Sequence, residues 1–95
     1  MSPHIGHYCI IRSRDAGVHA GTVAAVNGAS VHLVGARRIW KWAGAFTLSE
    51  VSQDGIDQSN SRIAKVVPSI EIIGACEIIL CSTSAKAQIE SAENG

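Results

Sequence analysis

Short apolar runs recur along the chain, each bounded by turn-forming residues, and this pattern predicts a β-rich domain. Residues 7–12, carrying Tyr8, Ile10 and Ile11, read as a first strand that stops at Ser13-Arg14-Asp15. Asp15-Ala16-Gly17 supplies a turn into a second strand over residues 18–26, where Ala20 and Gly21 are small. Asn27-Gly28 then follows as the pair suited to a two-residue turn with positive φ, with residues 30–34 as the hairpin partner. After Gly35, residues 36–42 set aromatic and β-branched side chains at alternate positions, as an extended strand does, and Gly44 is expected to end it.

Thr47-Leu48-Ser49-Glu50 has the form of a capping box, in which the Thr47 hydroxyl and the Glu50 carboxylate satisfy free N–H groups at a helix start. Gly55 is placed to close that helix about two turns later. Beyond the polar loop at residues 57–61 come two more strands, 62–67 and, past Pro68, 70–73. Gly74 marks a break or bulge, and residues 77–81 extend the sheet. Ser82-Thr83-Ser84 offers capping hydroxyls to a helix over residues 85–93, rich in Ala, Lys, Gln and Glu. The expected fold is therefore α+β, an antiparallel sheet of about five to seven short strands with two short helices, the second at the C-terminus. Residues 1–95 show no composition shift and are expected to form a single domain.

Composition narrows the partners. Hydrophobic residues make up 46% and charged residues 17% of 95 positions, a high apolar share for so small a domain, so a homo-oligomer is expected. Eight basic residues balance eight acidic ones, which leaves no net charge to steer the chain to duplex nucleic acid or an anionic membrane. The three cysteines, Cys9, Cys76 and Cys81, lie in apolar runs without the spacing of a secreted disulfide framework, so a reducing cytoplasm is expected. No signal peptide or membrane-spanning run is read. Cysteines and histidines keep no zinc-ligand spacing, and no metal or cofactor is expected. Nor is there a nucleophile elbow, a phosphate-binding loop with Lys or a pair of carboxylates in an apolar setting, so an enzyme is not expected.

The densest candidate chemistry is Arg37-Arg38-Ile39-Trp40-Lys41-Trp42. Alternation along a strand puts Arg38, Trp40 and Trp42 on one side and Arg37, Ile39 and Lys41 on the other. An indole can stack a purine while Arg reaches a phosphate through paired, charge-assisted hydrogen bonds. The competing reading has each Trp fill the core with a neighbouring Arg packed over it by a cation–π contact. His19, after the glycine turn, is either an anion or base contact or a structural strand histidine.

Ala16-Gly17-Val18-His19-Ala20-Gly21, then Ala36-Arg37-Arg38-Ile39-Trp40-Lys41-Trp42-Ala43-Gly44-Ala45, then Thr47-Leu48-Ser49-Glu50 follow one another in an order that resembles a family of small phage and prophage proteins of unknown function. That family is similar to immune-evasion sponges, which bind nucleotide signals of bacterial antiphage defence. The resemblance implies one of two branches: anti-CBASS sponges for cyclic oligonucleotides such as cyclic dinucleotides, or anti-Thoeris sponges for cyclic ADP-ribose isomers. It implies a homo-oligomer with pockets at subunit boundaries, and ligand contacts from Val18, His19, Arg37, Arg38, Trp40, Trp42, Leu48 and Ser49. The C-terminal Ala92-Glu93-Asn94-Gly95 departs from the aromatic-containing tail of that family. The leading expectation is thus a cytoplasmic, non-catalytic sponge for a cyclic nucleotide. A small single-stranded nucleic-acid-binding regulator and a tryptophan-anchored protein-interaction module are the alternatives of other classes.

Overall fold

The computed structural model describes residues 3–41, 47–58 and 60–93. Six strands and two helices follow in the order β1 (Tyr8–Ser13), β2 (Gly17–Asn27), β3 (Ser30–Lys41), α1 (Leu48–Asp54), β4 (Arg62–Ile63), β5 (Val67–Ile73), β6 (Ala75–Leu80) and α2 (Thr83–Ser91). This is the expected α+β class, with every strand pairing antiparallel.

The long strands β2 and β3 form the central hairpin. Its loop is Gly28-Ala29, because Asn27 still pairs with Ser30, so the expected Asn27-Gly28 turn moves on by one residue. Gly28, at φ +59°, takes the first central position, where a two-residue loop most needs a residue without Cβ. Gly35, at φ +57°, does not end a strand as the sequence pattern implied. It sits at a register shift between β2 and β3, and the extra residue lets β3 bend and continue to Lys41.

Pairing passes from β1 to β2 to β3 to β5, and the chain then runs through Gly74 into β6, which pairs with β1. The sheet therefore curls round on itself as a small barrel. Inside it lie Cys9, Ile11, Val23, Val31, Leu33, Ala36 and Ile72, all at most 1% exposed. The opposite face of the same strands presents Tyr8, Ile10, Ala20 and Ile39 to Val51 of α1 and to Ile89 of α2. Odd and even positions of β1 thus feed two separate cores, which is why its apolar run is nearly unbroken.

Thr47 caps α1 by accepting the Glu50 N–H at 3.2 Å, and the Gly55 N–H closes the helix on the Val51 carbonyl at 3.0 Å. Ser82 does more. Its hydroxyl accepts the Ala85 N–H at 3.1 Å and donates to the Gln53 carbonyl at 2.7 Å, so one side chain starts α2 and ties it to the end of α1. Ser82→Ala should therefore cost about 1–2 kcal/mol, the upper part of the range for losing an N-cap, read as a fall in the midpoint of chemical denaturation.

The end of α2 is held differently. The helix has no basic residue in its last turn. Arg37 of β3 supplies one: its Nη1 donates to the carbonyls of Ile89 (2.8 Å), Glu90 (3.3 Å) and Ala92 (2.6 Å), and its Nε donates to Ala64 at 2.8 Å. A buried cation thereby satisfies carbonyls that a helix end leaves open and meets the negative end of its dipole. Among the described residues, no helix is long and apolar enough to cross a membrane.

Candidate functional site

Alternation along the last part of β3 divides the basic and aromatic residues as the sequence pattern predicts. Arg37 and Ile39 are buried on the helix side, at 2% and 1% exposure, whereas Arg38 and Trp40 are exposed, Trp40 at 56%. Which of the two arginines is open to a ligand is decided by α2. Arg37, which the resemblance nominates as a ligand contact, lies under that helix with its donors directed at carbonyls; it supports the site from behind. Trp42 lies outside the described residues.

His19 pairs directly across from Arg38 in the β2–β3 ladder. Its ring is buried at 1% exposure, and Arg38 Nε donates to His19 Nε2 at 3.2 Å. The accepting nitrogen must be unprotonated, so the bond assigns the ring proton to Nδ1, which has no hydrogen-bond partner. Burial first, and then the neighbouring Arg38 charge, hold the imidazole pKa below its ordinary value. His19 is therefore neutral near pH 7 and brings no charge to a phosphate. Its part is to fix one edge of the exposed Arg38 side chain through Nε.

Arg38 stands between two clefts. One, of about 420 Å³, is bounded by the β1–β2 turn at Arg14, Asp15 and Gly17, by Val18, and by Arg38 and Trp40. The other, of about 300 Å³, has largely apolar walls from Ala36, Ala64, Val67 and Ile70, with His19, Arg38 and Lys65 supplying its polar groups. A third cleft, of about 550 Å³, continues from the first through Arg14 and Val18 to Arg12, Ser13 and Cys76. Arg12 itself is paired to Glu77 at 2.9 Å in a half-exposed bridge that links β1 to β6.

The structure thus gathers Val18, His19, Arg38 and Trp40 into one region. Leu48 and Ser49 line none of these three clefts. Leu48 packs against the helix-side core, and the Ser49 carbonyl accepts the Ser52 hydroxyl at 2.7 Å within α1. Sequence reasoning missed Arg14 and Lys65. Arg14 reads as a turn residue, although its place just before the glycine turn that carries Val18 and His19 was a usable signal. Lys65 reaches the site only because the segment after β4 crosses beside β3, where the Ala64 N–H donates to the Arg38 carbonyl at 2.8 Å.

Burial pushes Cys9 up to about 11 and Cys81 up to about 12, so both stay protonated at neutral pH. Among the described residues, no three His, Cys, Asp or Glu side chains are grouped to hold a metal ion. The arrangement offers an indole face, guanidinium donors and apolar walls, a set suited to holding a planar, anionic molecule. No curated protein and no solved structure matches the chain. A family model described as a domain of unknown function, DUF6948, matches residues 6–89, and the chain belongs to that family.

Proposed function

We propose that this protein binds a cyclic nucleotide and sequesters it without cleaving it. The observation that carries the reading is the placing of Arg38: it is exposed, bonded at one edge to a neutral His19, next but one along β3 to the exposed indole of Trp40, and open to clefts on both sides. Trp40 stacks the base, a contribution of about 1–3 kcal/mol per base in single-strand binders. Arg38 meets the phosphate through charge-assisted hydrogen bonds of roughly 1.5–3 kcal/mol each. The resemblance of residues 36–45 to immune-evasion sponges supports sequestration of a defence signal in the host cytoplasm as the biological setting. Exposed Ile73 and Leu80, at 71% and 48%, support a homo-oligomer that covers them.

Titration calorimetry with cyclic dinucleotides, cyclic ADP-ribose isomers and a short single-stranded oligonucleotide tests this. Expected is saturable binding of a cyclic dinucleotide, with the ligand recovered intact after the protein is denatured. Arg38→Ala and Trp40→Ala should each weaken binding by about tenfold or more and leave the melting transition in place. Binding only of the cyclic ADP-ribose isomers moves the signal to the other sponge class. Preference for the oligonucleotide, with a steep loss of affinity as salt rises, replaces the proposal by a nucleic-acid-binding role. Recovery of cleaved products overturns the non-catalytic reading.

A further inference from the structure

We infer that the site takes two linked bases: one on Trp40, a second in the cleft between Ala64 and Val67, with the phosphodiester that joins them on Arg38. This rests on the binding reading above and adds the second base position, which no residue of the sequence motif announces.

Among the described residues, Arg38 alone lines both clefts. A phosphate held by this guanidinium would have a cleft on each side. The two spaces differ chemically. On one side, the cleft is lined by Trp40, 56% exposed, beside the polar β1–β2 turn. On the other, Ala36, Ala64, Val67 and Ile70 make apolar walls, with Lys65 beside them. Such walls suit the flat, weakly hydrated faces of a base and give nothing to a second isolated phosphate except Lys65. This also accounts for Val67, an apolar side chain left 39% exposed on a strand whose neighbours Ile70 and Ile72 turn inward. At about 300 Å³, the second cleft is at the lower end of the range for small-ligand pockets.

His19 acquires a definite part in this arrangement. Because it accepts from Arg38 Nε, the guanidinium is held at the boundary of the two clefts and does not swing into either. A positively charged residue across the strand would repel Arg38 from that position, and a neutral imidazole does not.

The comparison that decides is AMP against the linear dinucleotide ApA, measured by calorimetry on the full chain. ApA carries one internal phosphodiester and less negative charge than AMP, so tighter binding of ApA reports the second base and not added charge. Expected for the unaltered protein is ApA binding at least about tenfold tighter than AMP. Ala64→Leu, which fills the second cleft, and Val67→Gln, a change at an exposed strand position, should bring the two affinities together by weakening ApA alone. Trp40→Ala should weaken both ligands. If Ala64→Leu does not fold, Val67→Gln carries the test by itself. Equal affinities for AMP and ApA in the unaltered protein, or a Val67→Gln or folded Ala64→Leu protein that loses affinity for both ligands alike, overturn the two-base arrangement and leave nucleotide binding standing. No binding of AMP, ApA or the cyclic dinucleotides overturns both.

Discussion

Arg37→Ala should unfold the helical side of the molecule, whereas Arg38→Ala, one residue further along the same strand, should leave thermal stability nearly unchanged. Arg37 is 2% exposed and its guanidinium serves carbonyls of Ala64, Ile89, Glu90 and Ala92. Removing it strips a buried cation from the end of α2 and leaves buried carbonyls unanswered, each at a cost of about 1–3 kcal/mol. The total should be on the order of 3–5 kcal/mol, comparable to breaking a buried ion pair. Stability of a domain of this length is itself roughly 5–15 kcal/mol. At about 4–8 °C per kcal/mol for a small domain, the melting temperature should drop by more than about 10 °C. Arg37→Lys should recover only part of this, since an ammonium cannot span Ala64 on one side and Ala92 on the other as the planar guanidinium does. Calorimetric melting of the three variants checks it. A melting temperature for Arg37→Ala within a few degrees of the parent would mean that the α2 end is held by other means.

Gly21→Val should be the most damaging single change within the sheet. A Cβ at residue 21 would lie 3.1 Å from the Ala36 Cα, 3.2 Å from the Val34 carbonyl oxygen and 3.3 Å from the Ala36 Cβ. The first two are backbone atoms of the facing strand and cannot rotate aside. Gly21 also falls where the β2–β3 register shifts between Ala20 and Thr22, so the strands approach closely there by construction. Gly21→Ala should cost about 1 kcal/mol and Gly21→Val about 3 kcal/mol or more, as overpacked cores do. Because Ala36 lines the second cleft, the milder Gly21→Ala should also alter ligand affinity before it alters folding appreciably. Denaturant midpoints and calorimetry on the two variants measure both effects, and a stable Gly21→Val protein would show that β2 and β3 can separate without penalty.

These two positions also mark where sequence reasoning stops. The alternation of Arg37 to Trp40 was legible and split the strand into a buried side with Arg37 and Ile39 and an exposed side with Arg38 and Trp40. It could not say which side was covered, because the cover is the end of α2, some fifty residues further on. Local capping chemistry was legible too: Thr47 and Ser82 start their helices through side-chain oxygens that reach three residues ahead. Pro68 misled in the other direction. It appeared to separate two strands, yet β5 runs from Val67 through it, because Pro68 falls between the Val67–Ala36 and Ser69–Val34 pairs, opposite the bulged Gly35. The missing N–H of proline is tolerated where the partner strand is itself irregular. Lys65 and the apolar walls of the second cleft were invisible for a similar reason: they reach the site through pairing across the barrel, which no short sequence window contains.

The ring of strands closes only when β6 reaches β1, which joins residues near the two ends of the chain. Contacts of such large sequence separation are entropically expensive to form first, so folding should be slow for a protein of this size. During synthesis, β1 emerges long before Glu77 to Leu80, and until then one of its edges waits unpaired. The same apolar strand that lines both cores of the finished molecule is thus the segment most in need of protection from aggregation while the ribosome is still at work.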